Sequence, residues 1–167
     1  IYDGYDSSDR RIVGAGGPED SGSYFLYVGV AGPFPSARGT YHYSSHTHNK
    51  YKPYQESNAN GVMTHISKAE MELYKAEGLL RTGGSAATVA QLINNTRVAN
   101  GELPPATAAT PAGSVADGRW TNTQIHINGS LWGYLMHEFR IETMATAGAL
   151  AYATDRGWGD LVQGTPI

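Results

Sequence analysis

The chain has 167 residues, a formal net charge of −3 and no cysteine. That length suits one domain of ordinary size with a buried core, and the missing thiols exclude disulfides, thiolate nucleophiles and thiolate metal ligands. The charge balance gives no basic pull toward nucleic acid, and no apolar run approaches the roughly 20 residues of a membrane-spanning helix.

Residues 1–66 are rich in Gly, Ser, Pro, Asp and Tyr, and eight of the eleven tyrosines fall between Tyr2 and Tyr54. Only Ser23 to Val30 (SYFLYVGV) reads as a strand, bounded by Gly22 and Gly32-Pro33. Pro33 to Asn60 is loop-like, with short β pieces around Thr40 to Tyr43. A helix is predicted from Ser67, which has capping-box spacing to Glu70. Ala69, Leu73, Ala76 and Leu80 give it one apolar stripe, and Gly83-Gly84 ends it. Ser85 caps a second helix that buries Val89, Leu92, Ile93 and Thr96, and Asn100-Gly101 stops it. Two helices joined so briefly pack antiparallel. The pair has about 34 residues, the length of one tetratricopeptide repeat, and no second copy follows.

Glu102 to Arg119 is a Pro-, Ala-, Thr- and Gly-rich connector, expected to be exposed and mobile. A third helix is predicted from Asn128-Gly-Ser130 to about Ala147, with Leu131, Leu135, Met136 and Phe139 as its stripe. Gly148 interrupts it, and Ala149 to Thr154 adds a further turn or two. The fold class expected is mainly α. A tetratricopeptide-like hairpin and a third helix make up 67–167, with a flexible connector at 102–119. A loop-rich segment with short strands makes up 1–66.

Several patterns invite chemistry. His42, His46 and His48 include an H-x-H step, which on a strand would present two imidazoles to one face for Zn²⁺. A hydrolase would need a third ligand, such as His65, His126 or a carboxylate, and a base. Solvated loop histidines are the plainer reading, and no metal is assigned. Asp3, Asp6 and Asp9 lack calcium-loop spacing and read as turn formers. Gly14-Ala-Gly-Gly17 precedes no helix and no Walker lysine. Ser44, Ser45, Ser67 and Ser130 sit in no G-x-S-x-G context. Glu138 and Glu142 share a helix face at i, i+4, a spacing open to acid/base work or to structural ion pairing.

Two segments carry a family likeness. The first is ISKAEMELYKAEGLLRTGG followed by AQLINNTRVANGELP. Here Ala69-Glu70, Leu73, Ala76-Glu77, Gly83, Ile93-Asn94, Arg97 and Leu103-Pro104 match the helix pair of SusD/RagB-type nutrient-binding proteins. In the second, LWGYLMHEFRIETMATAGALAYATDRGWGDLVQGTPI, the matching positions are Glu138, Arg140, Ile141, Glu142, Gly148, Asp155-Arg156, Trp158-Gly159 and Asp160. Phe139 stands where that family has the first arginine of a Glu-Arg-Arg run. Ser8-Asp9-Arg10 is similar, more weakly, to an earlier turn of the family. The chain thus resembles the C-terminal portion of such a protein, an expectation that its start at Ile1 suits.

The resemblance implies a non-catalytic binder of glycans or peptides, without a cofactor. It would be a lipid-anchored lid on a SusC-like TonB-dependent transporter of the outer membrane, facing the cell surface or periplasm. It implies a structural ion-pair network of Glu70, Glu77, Arg97, Glu138, Arg140, Glu142, Asp155 and Arg156, with Arg97 or Arg156 tying the hairpin to the third helix. Sugar rings present flat C–H faces that aromatic side chains cover. The ligand candidates are therefore the loop aromatics Tyr41, Tyr43, Tyr51, Tyr54 and Trp120, whereas Trp132 and Trp158 are expected in the core. The alternative is a structural or docking subunit of another membrane protein complex, its tyrosine-rich loops laid over a partner.

Overall fold

The helical stripes dominate the structure. A computed structural model describes residues 8–17, 19–28, 46–50, 52–61, 63–119, 129–144, 146 and 150–160. Among these, strands β1 (Phe25–Tyr27) and β2 (His46–His48) and helices α1 (Lys52–Glu56), α2 (Lys68–Thr82) and α3 (Ala86–Arg97) come first. A 3-10 turn at Val115–Gly118 and helices α4 (Leu131–Thr143) and α5 (Leu150–Gly157) follow. The described fold is mainly α. The chain forms two compact units, Ile1–Met63 with Asn100–Leu103, and Thr64–Ala99 with Pro104–Ile167.

In the first unit β1 and β2 pair antiparallel, with Phe25 opposite His48 and Tyr27 opposite His46. β1 is shorter than the eight-residue strand read from the sequence, whose end lies outside the described residues. The turn before it is organised by Asp9. Its backbone carbonyl accepts the N–H groups of Ile12 and Val13, both at 3.0 Å. Asn100–Leu103 is stitched into this unit, since the Arg10 N–H donates to the Gly101 carbonyl at 3.0 Å and the Asn100 amide to the Tyr24 hydroxyl at 3.3 Å.

In the second unit the hairpin α2–α3 packs on α4. Ser67 Oγ caps α2 by accepting the Glu70 N–H at 3.0 Å. Glu70 does not complete the predicted box: its side chain turns inward, and Oε2 is buried without a hydrogen bond. Gly83 ends α2 at φ 70°, a left-handed conformation that glycine adopts without steric cost. Ser85 and Ser130 cap α3 and α4. The core gathers Leu73 and Ala76 from α2, Val89 and Ile93 from α3, Leu131, Leu135, Met136 and Phe139 from α4, and Trp158. Trp132 and Trp158 are both buried.

Two expectations change in this unit. α4 stops at Thr143, short of Ala147, because Met144 leaves helical geometry. The Thr143 and Thr146 hydroxyls then bond the Phe139 and Thr143 carbonyls, both at 2.7 Å. The connector 102–119, read as exposed and mobile, is largely exposed but is held at several points. Asn94 bonds both backbone groups of Ala106, donating at 2.9 Å and accepting at 2.8 Å. The Pro111 and Ala112 carbonyls take the first N–H groups of α4, which no intrahelical partner can satisfy. Gly118 lies so close to Met136 that a β-carbon there would meet the Met136 Cβ at 2.8 Å.

Candidate functional site

The charged residues of the two matching segments converge inside the helical unit. Arg97, at the end of α3, is 1% exposed and Glu138, mid-way along α4, is 0% exposed. Arg97 Nη1 lies 3.8 Å from Glu138 Oε1, an ion-pair distance rather than a hydrogen bond. Glu138 Oε2 accepts the Thr96 hydroxyl at 2.8 Å. Arg97 Nε donates to the Pro104 carbonyl at 2.7 Å, and its guanidinium lies 3.8 Å from the centre of the Tyr134 ring. Burying two charges is costly unless each is paired and bonded further. Here one helix end, the facing helix and the connector supply those partners together.

A second cluster lies further along α4. Arg140 donates to Asp155 at 3.0 Å, to the Gly118 carbonyl at 2.5 Å, and to Asp160 through a short contact. Its guanidinium also approaches the Trp158 ring at 5.5 Å. Gly159, at φ 67°, turns the chain so that Asp155 and Asp160 reach the same cation. On α2, Glu77 Oε1 accepts Arg81 at 2.7 Å and the Trp158 indole N–H at 3.0 Å. Phe139 stands edge-on to Tyr74 at 4.9 Å and to Trp158 at 5.7 Å. Burial, Glu70 and Glu77 together push the Tyr74 phenol above its ordinary value of 10.0.

Of the expected network, Arg97 meets Glu138, Arg140 meets Asp155, and Glu77 meets Arg81. Glu142 is buried one turn beyond Glu138. Arg156 needs correction: it is exposed on α5, and Asp160 is the additional partner of Arg140. Asp160, a matching position outside the expected network, is brought round by a glycine-made turn, not by helical spacing. The Asp9–Arg11 pair of the first unit was missed. Asp9 accepts Arg11 Nε at 2.9 Å and Arg11 Nη2 at 2.6 Å, with both residues fully buried. The D-x-R spacing was the available signal; the neighbouring Arg10, part of the weaker Ser8-Asp9-Arg10 likeness, donates instead to the Gly14 carbonyl at 2.8 Å.

The aromatic ligand candidates gain less. Tyr41, Tyr43, Tyr51 and Trp120 lie outside the described residues, and Tyr54 is a half-buried residue of α1. His42 also lies outside them. His48 stands edge-on to Phe25 at 5.6 Å, and its pKa is lowered by burial and then by Lys50. Among the described residues no three His, Asp or Glu side chains are placed to hold a metal ion. The glycine-rich turn is filled from within, the Gly16 N–H donating to Asp20 at 2.8 Å. An open groove of about 500 Å³ runs along α3 and the connector, with Ala87, Ala90 and Ala106 in its lining and Gln91, Asn95 and Thr107 as polar groups.

No described helix is long and apolar enough to cross a membrane. Neither the family models, nor the curated proteins, nor the solved structures contain a match to this chain.

Proposed function

We propose that this chain is part of a SusD/RagB-like nutrient-binding protein. It would be a non-catalytic component that captures glycans or peptides for a SusC-like TonB-dependent transporter at the outer membrane. One observation supports this reading above the others. The charged and aromatic residues that carry the resemblance, Arg97, Glu138, Arg140, Asp155, Trp158 and Asp160, come from two separated segments and are used as buried or, for Asp155, partly buried partners. A surface role would leave such residues in water, whereas a family framework needs them inside. The antiparallel α2–α3 pair, of tetratricopeptide length, supports the same assignment. In this reading the helical unit is scaffold, and ligand contacts come from aromatic loops such as those of Tyr41, Tyr43, Tyr51, Tyr54 and Trp120.

The test is made on the intact protein in its own membrane. Co-purification with a TonB-dependent transporter is examined first. Titration calorimetry against neutral oligosaccharides and short peptides follows. Saturable binding without turnover, together with transporter association, is the expected result. Absence of both overturns the proposal.

A further inference from the structure

The sequence contains three Asn-Gly steps, Asn60-Gly61, Asn100-Gly101 and Asn128-Gly129. In such a step the glycine nitrogen is sterically free to attack the asparagine side chain. Whether it does so depends on what holds the two groups, and two of the steps can be compared within one unit.

At Asn100-Gly101 both groups are restrained. The Asn100 amide donates to the Tyr24 hydroxyl at 3.3 Å, Gly101 is buried, and its carbonyl accepts the Arg10 N–H at 3.0 Å. At Asn60-Gly61 both residues are exposed. Among the described residues no hydrogen bond holds the Asn60 side-chain amide or the Gly61 N–H. Nothing crowds Gly61 either: a β-carbon there would have the Tyr54 ring at 3.8 Å and Ser57 Oγ at 3.9 Å as its nearest neighbours. The chain just before it is strained, because Asn58 and Ala59 both adopt left-handed conformations, at φ 55° and 60°.

We infer that Asn60 is a self-modification site, converting to aspartate and isoaspartate through a cyclic imide formed with Gly61. The deprotonated Gly61 nitrogen attacks Asn60 Cγ. The N–Cγ bond forms, the Cγ–Nδ2 bond breaks, and ammonia leaves. Water then opens the imide. Cleavage between the nitrogen and Cγ gives aspartate, and cleavage between the nitrogen and the backbone carbonyl carbon gives isoaspartate. No oxidant, reductant or enzyme is needed. Either product adds one negative charge to a chain whose formal net charge is −3. Isoaspartate also lengthens the backbone by one methylene, in a turn already forced into unfavourable geometry.

The full chain is incubated natively in mildly alkaline buffer and mapped by peptide mass spectrometry, with fragmentation that separates the two isomers. A parallel sample in urea gives the intrinsic rate of each step. The native chain is expected to gain a single mass unit at Asn60, at close to the unfolded rate. Asn100 is expected to convert at least about tenfold more slowly than in urea, because local opening must come first. The variant Asn60→Gln, whose longer side chain disfavours the ring, is expected to remove the native product. Survival of the Asn60 amide in the native sample overturns the inference, and so does native conversion of Asn100 at the rate of Asn60.

Discussion

Replacing Glu138 with leucine removes the carboxylate that faces Arg97 and leaves a guanidinium that is 1% exposed beside an apolar side chain. Breaking a buried pair in this way costs about 3–5 kcal/mol. The Thr96 hydroxyl loses its 2.8 Å acceptor as well, which falls within that range. For a chain of this size each kcal/mol lowers Tm by about 2–4 °C, so a fall of about 6–20 °C is expected. Arg97→Met added to Glu138→Leu removes the stranded charge and is expected to restore most of the loss. About 1 kcal/mol stays missing, because the 2.7 Å bond from Arg97 to the Pro104 carbonyl has gone. Urea unfolding followed by helical circular dichroism measures both variants against the parent chain. A Glu138→Leu loss below about 1 kcal/mol refutes the reasoning. A double variant no more stable than the single one does so too.

Three further outcomes follow from other contacts. Trp158→Ala is expected to cost about 3–5 kcal/mol by opening the core beside Phe139. Trp158→Phe keeps most of the packing but loses the 3.0 Å bond to Glu77, for about 1 kcal/mol more than packing alone. A Trp158→Phe loss that is the same in a Glu77→Ala background, measured by urea unfolding, would show the indole bond to be irrelevant. Asn94→Ala releases both bonds to Ala106 and is expected to speed hydrogen exchange at the Ala106 amide, while an unchanged rate would mean that the connector is held elsewhere. His48 is expected to titrate below 6.5, because burial and Lys50 both disfavour the imidazolium. The unfolded chain then binds more protons, so the contribution of His48 is fully present above 6.5 and is lost as pH falls from there toward the folded value. A midpoint at or above 6.5 in an NMR titration would contradict this, and Lys50→Gln is expected to raise it.

The helices were readable because their signals are local. Ser67, Ser85 and Ser130 each accept a backbone N–H within their own first turn, and Gly83 supplies the left-handed stop. Apolar spacing named Leu73, Ala76, Val89, Ile93 and Leu135 as buried, since periodicity depends only on helical geometry. The same reasoning overran α4, which ends where Met144 leaves helical geometry, and it did not record the bonds that hold the connector. Low apolar content made 102–119 look unheld, although its carbonyls and Asn94 hold it through polar bonds that no hydropathy pattern records.

The charged sites divide in the same way. The sequence by itself determined that Glu138 and Arg140 belong to one helix and that Arg97 ends another. It also determined which chemistry was closed to the chain, because without cysteine there is no thiolate. Which charge meets which is settled only when α3, α4 and the Asp155–Asp160 turn are packed together. Arg140 reaches Asp160 because Gly159 reverses the chain there, while Arg156 stays exposed on α5. Helix and cap signals act over a few residues, whereas the Arg97–Glu138 pair joins groups 41 positions apart. Its partners are therefore chosen by the packing that removes them from water.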